Sequence, residues 1–169
     1  MYFAAVQQFL RTLRALDAIL VKATLYAEAR KFNVDNFLSA RVAPDMLPFS
    51  RQIQIACDGA KRFASSLTGK EAPVNADTET TMAELRARIA SCVAYLETFR
   101  AEDFAAVTAE TVVPLPNNPA RGLYAPDALF ARTIPNFYFH VTTAYGLLRA
   151  GGVEVGKRDF LGDVPLFDL

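Results

Sequence analysis

The sequence predicts an all-α fold, a four-helix bundle with a long crossover loop before the last helix. Three observations predict it. Met82, Leu85, Ile89, Cys92, Leu96 and Phe99 recur three and four residues apart, the period of a helix with one apolar face. Residues 2–31 and 46–68 carry similar stripes. Residues 133–152 are apolar on most sides, which suits a helix enclosed by partners.

In chain order, helix one is expected over Tyr2 to Lys31. Val6, Leu10, Leu13, Leu20 and Ala27 form its inner face, widened by Phe9, Leu16, Ile19 and Ala23. Its many Ala and Leu residues favour a helix, and the turn-rich run Asn33 to Asn36 ends it. Asp45 reads as the N-cap of helix two, with Pro48 in the first turn, where a missing N–H costs little. That helix is expected from Met46 to Thr68, with Gly69 just past its end. Ile53, Ala56, Ala60, Phe63, Ala64 and Leu67 make its inner stripe. Residues 70–80 read as a polar loop. Thr81 and Glu84 form a capping-box pattern opening helix three, which is expected to reach Arg100.

From Ala101 to Tyr124 the helical period stops. Pro114, Pro116 and Pro119 exclude a helix, and Ala106 to Val113 reads as a short strand within a long crossover. Pro126 and Asp127 open a short helix to Arg132. Pro135 either starts the last long helix or kinks one begun at Pro126, and Gly151-Gly152 ends it. The tail reads as irregular, with Phe160, Leu161, Leu166 and Phe167 packed back on the bundle or on a second subunit.

The chain of 169 residues is long enough for one domain, 1–169, with its own core. Lys plus Arg and Asp plus Glu number 18 each, so no basic excess points to a nucleic-acid partner. No apolar run approaches the roughly 18–20 residues of a membrane span. The N-terminus lacks the basic and apolar regions of a signal peptide. Cys57 and Cys92 fall inside different helices and read as reduced core residues of a cytoplasmic protein.

His140 is the sole histidine. It is either a hydrogen-bonded core residue or part of a site, and the sequence admits both. Asn136 shares its helix face one turn earlier, and Thr143 follows. One histidine supplies a single donor where zinc needs several, so no metal or other cofactor is expected. On helix two, Gln54 and Asp58 lie four residues apart, with Gln52 beside them. If Asp58 approached His140, the pair would form an oriented general base. Tyr138 and Tyr145 share another face. Candidate ligand-binding residues are therefore His140, Asn136, Gln54, Asp58, Gln52 and Tyr145. Phosphate-binding loops, dinucleotide fingerprints and nucleophile elbows are missing from the sequence.

Several stretches together resemble one family: 41–46 (RVAPDM), 51–58 (RQIQIACD), 135–140 (PNFYFH), 143–145 (TAY) and 156–162 (GKRDFLG). They resemble the domain-of-unknown-function family DUF1993, which is similar in turn to DinB/YfiT-like helical bundles. That resemblance implies four long helices, often paired as dimers. Many such bundles hold a divalent metal with three histidines, one from helix two and an His-x-x-x-His pair on the last long helix, and some use it in thiol-dependent transfer or isomerisation. Here His140 matches the second histidine of the pair, Asn136 stands at the first, and helix two offers Gln52, Gln54 or Asp58. Three functions follow as expectations: a metal-free bundle binding a small molecule near His140, a homodimeric interaction module, or a degenerate thiol-dependent transferase or isomerase.

Overall fold

A computed structural model describes residues 1–168. Four long helices share one core: α1 (Tyr2–Arg30), α2 (Phe49–Thr68), α3 (Met82–Leu96) and α5 (Ile134–Ala150). Every residue assigned from sequence to the inner stripes of the first three is buried. Burying such stripes supplies about 25 cal/mol per Å² of apolar surface, which makes this core the main source of stability. α5 lies against α2 and, less extensively, against α1. Phe9 of α1 meets Phe137 of α5 with ring centroids 4.7 Å apart.

The expected ends hold where a cap decides them. Thr81 and Glu84 form the capping box, the Thr81 hydroxyl accepting from Glu84 N at 3.2 Å. Gly69 closes α2 at φ 74, a left-handed conformation that costs glycine little. Two boundaries and the tail differ. α2 begins at Phe49, not Met46, and Asp45 is not its N-cap. Pro48 is the cause, because a proline pushes the preceding residue out of helical conformation. Residues 43–46 form a turn instead, in which Met46 N donates to Ala43 O, and Phe49 N reaches back to Ala40 O. α3 stops at Leu96 rather than Arg100. The tail is not wholly irregular: Lys157–Leu161 forms a short helix, α6, held to α1 by Lys22 and Asp159. Phe160 packs on Tyr145, whereas Leu161, Leu166 and Phe167, also expected to pack back, are exposed.

The fold is mostly helical rather than purely all-α. Strands β1 (Val112–Leu115) and β2 (Asn118–Tyr124) form an antiparallel hairpin inside the stretch read as a crossover. The strand expected over 106–113 therefore lies mostly further along. With two strands both are edges, so Pro114 and Pro119 are tolerated on sides that need no ladder bond. A short helix, α4 (Ala125–Asp127), follows directly, then a π-helical turn (Ala128–Thr133), then α5. Pro135 thus interrupts one longer helical run. It lacks an N–H and its ring crowds the preceding turn, and the widened turn just before it absorbs both effects.

The last long helix is less enclosed than its composition predicts. It buries Phe137, His140, Val141, Ala144, Leu147 and Leu148 but leaves Phe139 54% exposed. A mostly apolar helix here lies at the margin of the core, because α2 and α1 cover only one side of it.

Candidate functional site

The structure divides the candidate residues, Tyr145 apart, among three environments. His140 and Gln52 meet inside the α2–α5 interface, the imidazole Nδ1 lying 2.7 Å from Gln52 Oε1. Gln52 Nε2 donates to Leu47 O at 2.8 Å, so Oε1 is the free acceptor and His140 donates from Nδ1. The glutamine thus joins the last helix to the chain that precedes α2. His140 is 7% exposed, and burial lowers its pKa from the ordinary 6.5, so the ring is neutral at pH 7. Nε2 makes no hydrogen bond among the described residues.

Gln54 and Asp58 belong to a second environment, a charged network around Arg88. The Arg88 side chain is 1% exposed, yet it carries a full charge. Its Nη1 donates to Glu79 at 2.8 Å and forms an ion pair with Asp77 at 2.6 Å, and its Nη2 donates to Asp58 at 2.8 Å. Gln54 donates to Glu79 at 2.8 Å and accepts from Arg51 at 2.7 Å. Lys61 pairs with Asp58 at 3.1 Å and donates to Pro73 O and to Asn75. These bonds pin the 70–80 loop across α2 and α3. Burial opposes ionisation of Asp77 and Glu79, but hydrogen bonds from Arg51 and Arg88 to Asp77, and from Arg88 and Gln54 to Glu79, outweigh it. Both carboxyls titrate below their ordinary values. Asp58 is therefore engaged with Arg88 and Lys61, and Gln52 is the side chain that orients His140. The oriented general base considered from sequence does not form.

The third environment is a cleft of about 340 Å³ between α2, the hairpin and the π-helical turn. Asp58 and Asn136 line it, whereas His140, Gln52, Gln54 and Tyr145 do not. A Cβ at Gly59 of α2 would sit 3.7 Å from Asn136 Nδ2, an ordinary contact. Phe63, Val113 and Leu123 supply apolar wall. The π-helical turn contributes Ala128, Arg132 and Thr133. Such widened turns recur at functional sites because they displace side chains from regular helical positions. Tyr145 lies elsewhere, its hydroxyl 3.4 Å from Val155 O and its ring against Phe160.

Sequence reasoning missed Arg51, Arg62, Asp77, Glu79, Arg88 and Arg132. A signal existed for Arg88. It stands three residues after Leu85 and four before Cys92, a charge on an apolar stripe, and such a charge needs buried partners. Arg62 and Arg132 gave none, because the hairpin and the π-helical turn that make them neighbours lie far from α2 in sequence.

The donors do not fit the metal that the bundle resemblance implies. The positions in question hold one imidazole, already tied to an amide, and the amides of Asn136 and Gln52. Asp58 is occupied by two cations. Among the described residues no group of three or more His, Cys, Asp or Glu is placed to hold an ion. Neutral amides are poor ligands for a catalytic zinc-type centre.

Comparison with known proteins places this geometry. No curated protein matches the chain. A crystal structure of a DinB family member protein from Shewanella denitrificans is similar to it, with 46% sequence identity and a TM-score of 0.91, over 97% of this chain and 93% of that one. The family model for DUF1993, a domain of unknown function, matches residues 1–161. With the match spanning nearly the whole chain, and with those helices in a DinB-like arrangement, the protein belongs to the DUF1993 family.

Proposed function

We propose that this protein is a cytoplasmic, homodimeric four-helix bundle that binds a small organic molecule without a metal, in the cleft beside Asn136 and Asp58. The observation that carries the reading is the cleft itself. Its volume of about 340 Å³ falls in the range of small-molecule sites, and its wall sets apolar side chains beside a comparable set of polar and charged ones. Asn136 adds an exposed amide to the cleft wall, where it can donate to and accept from a ligand. The His140–Gln52 pair supports the site from behind by fixing α5 on α2.

A thermal-shift screen of small metabolites tests this. A ligand at about 100 times its Kd stabilises by about 2.7 kcal/mol, which raises Tm by roughly 5–10 °C in a chain of this size. Asn136→Trp, which fills the cleft, is expected to abolish the response, and His140→Ala to lower the baseline Tm while keeping it. Hits that survive Asn136→Trp but vanish in His140→Ala would move the site to the histidine.

The dimer is supported by exposed apolar surface on the outer face of α5, where Phe139 lies beside Val42, Thr142 and Gly146. A sedimentation mass of two chains at micromolar concentration is expected, falling to one in Phe139→Glu. A single-chain mass in the unmodified protein would remove the dimer and leave the cleft untouched. The free, buried thiols of Cys57 and Cys92 suit a reducing compartment. No described helix is long and apolar enough to cross a membrane.

A further inference from the structure

We infer that the cleft selects an organic anion, a carboxylate or phosphate monoester on an apolar body, and that Arg62 and Arg132 recognise its charged group. This rests on the cleft being a ligand site, as proposed above. The charge arrangement points to it. Asp58 and Asp77 also line the cleft, but both are neutralised from behind: Asp58 by Arg88 and Lys61, Asp77 by Arg51 and Arg88. Arg62 and Arg132 have no such partner; neither makes an ion pair or side-chain hydrogen bond among the described residues. Counting the lining side chains, their ion-pair partners and Glu79, which shares Arg88, five cations meet three carboxylates. That local positive excess stands out in a chain whose formal net charge is zero.

Geometry and chemistry agree with the charge. The two arginines come from different walls, Arg62 from α2 and Arg132 from the π-helical turn, so a group between them meets donors from both sides. A guanidinium offers a planar fork that matches carboxylate and phosphate oxygens. Phe63, Val113 and Leu123 give the rest of the molecule an apolar bed.

The test uses three probes of equal chain length, hexanoate, hexyl phosphate and hexanol, titrated into the isotope-labelled full chain and followed by amide NMR shifts. Either anion is expected to perturb residues of α2 and 128–136, and to bind at least 10-fold more tightly than hexanol. The better of the two identifies the charged group. The double variant Arg62→Gln/Arg132→Gln, in which both positions are exposed and the fold is expected to persist by circular dichroism, should bring anion and alcohol to within about 2-fold. Raising salt should weaken the anions only. Hexanol binding as tightly as the anions, or the double variant keeping the preference, overturns the assignment while leaving the cleft as a site. Neither anion perturbing the cleft at tens of millimolar also overturns it, and a neutral hit from the thermal screen that is lost in Asn136→Trp would then show that the cleft reading survives alone.

Discussion

Replacing Arg88 with methionine is expected to cost about 3 kcal/mol of stability, read by urea unfolding at pH 7. Breaking a buried ion pair from one side costs about 3–5 kcal/mol, because the abandoned charge stays desolvated. The loss falls at the lower end here. Asp58 and Asp77 keep 29% and 32% of their side-chain surface exposed and retain Lys61 and Arg51 as partners. Glu79 is the group most affected, with 13% of its side-chain surface exposed and only Gln54 left.

The acid limb carries a second signature of the same change. Asp77 and Glu79 have folded pKa values below the ordinary 3.8 and 4.5. Their contribution is complete above those ordinary values and is lost as pH falls through the lower folded ones. Without Arg88, burial of Glu79 acts unopposed by its main cation and raises its pKa, so acid unfolding should begin at higher pH. A loss under 1 kcal/mol with an unmoved acid limb would show that the network does not hold the 70–80 loop. Arg88→Lys should recover little, because one ammonium cannot replace a fork that serves Asp58 on one nitrogen and Asp77 and Glu79 on the other.

Replacing Phe137 with alanine should cost about 3–5 kcal/mol. The ring is fully buried and contacts Phe9 at a 4.7 Å centroid distance, and Phe9 in turn meets Phe63 edge-on at 6.2 Å. Truncation leaves a cavity where α5 meets α1, and the close-packed surroundings relax only in part. Phe9→Ala and Phe137→Ala combined should cost less than their sum, since they share one contact. Phe63 also forms part of the cleft wall, so Phe137→Ala should weaken cleft ligands as well as the fold. A cost under about 1.5 kcal/mol in denaturant unfolding would mean that α5 is not seated on α1 through this aromatic pair.

Much of the helical architecture was legible because its causes are local. The stripes of α1, α2 and α3 are read from side-chain periodicity, and the Thr81–Glu84 box and Gly69 act within a few residues of the helix ends they set. The family resemblance pointed to the same arrangement, which the Shewanella denitrificans structure bears out at the level of the DinB-like fold. Asp45 misled because a good capping residue does not outweigh a proline three positions later. The hairpin was half-read. Proline excluded a helix over 112–119, but Gly122 and the pairing of Val113 with Leu123 had no periodic signature in so short a stretch.

The site was less legible for a geometric reason. Gln52 and His140 were both chosen from sequence, yet their hydrogen bond spans 88 positions, and nothing local told Gln52 from Gln54. Asp58 was chosen for a partner it does not have, because the choice between His140 and Arg88 depends on which helix its face meets. By itself the sequence determined where the amphipathic stripes of α1, α2 and α3 run and which faces they bury, since both follow from spacing and residue chemistry. Only the tertiary structure decided that Arg62 and Arg132, without a partner among the described residues, share a cleft and that Arg88 is buried among three carboxylates. Those neighbours are brought together by helix packing and a hairpin, and no local pattern encodes distances set by the whole fold.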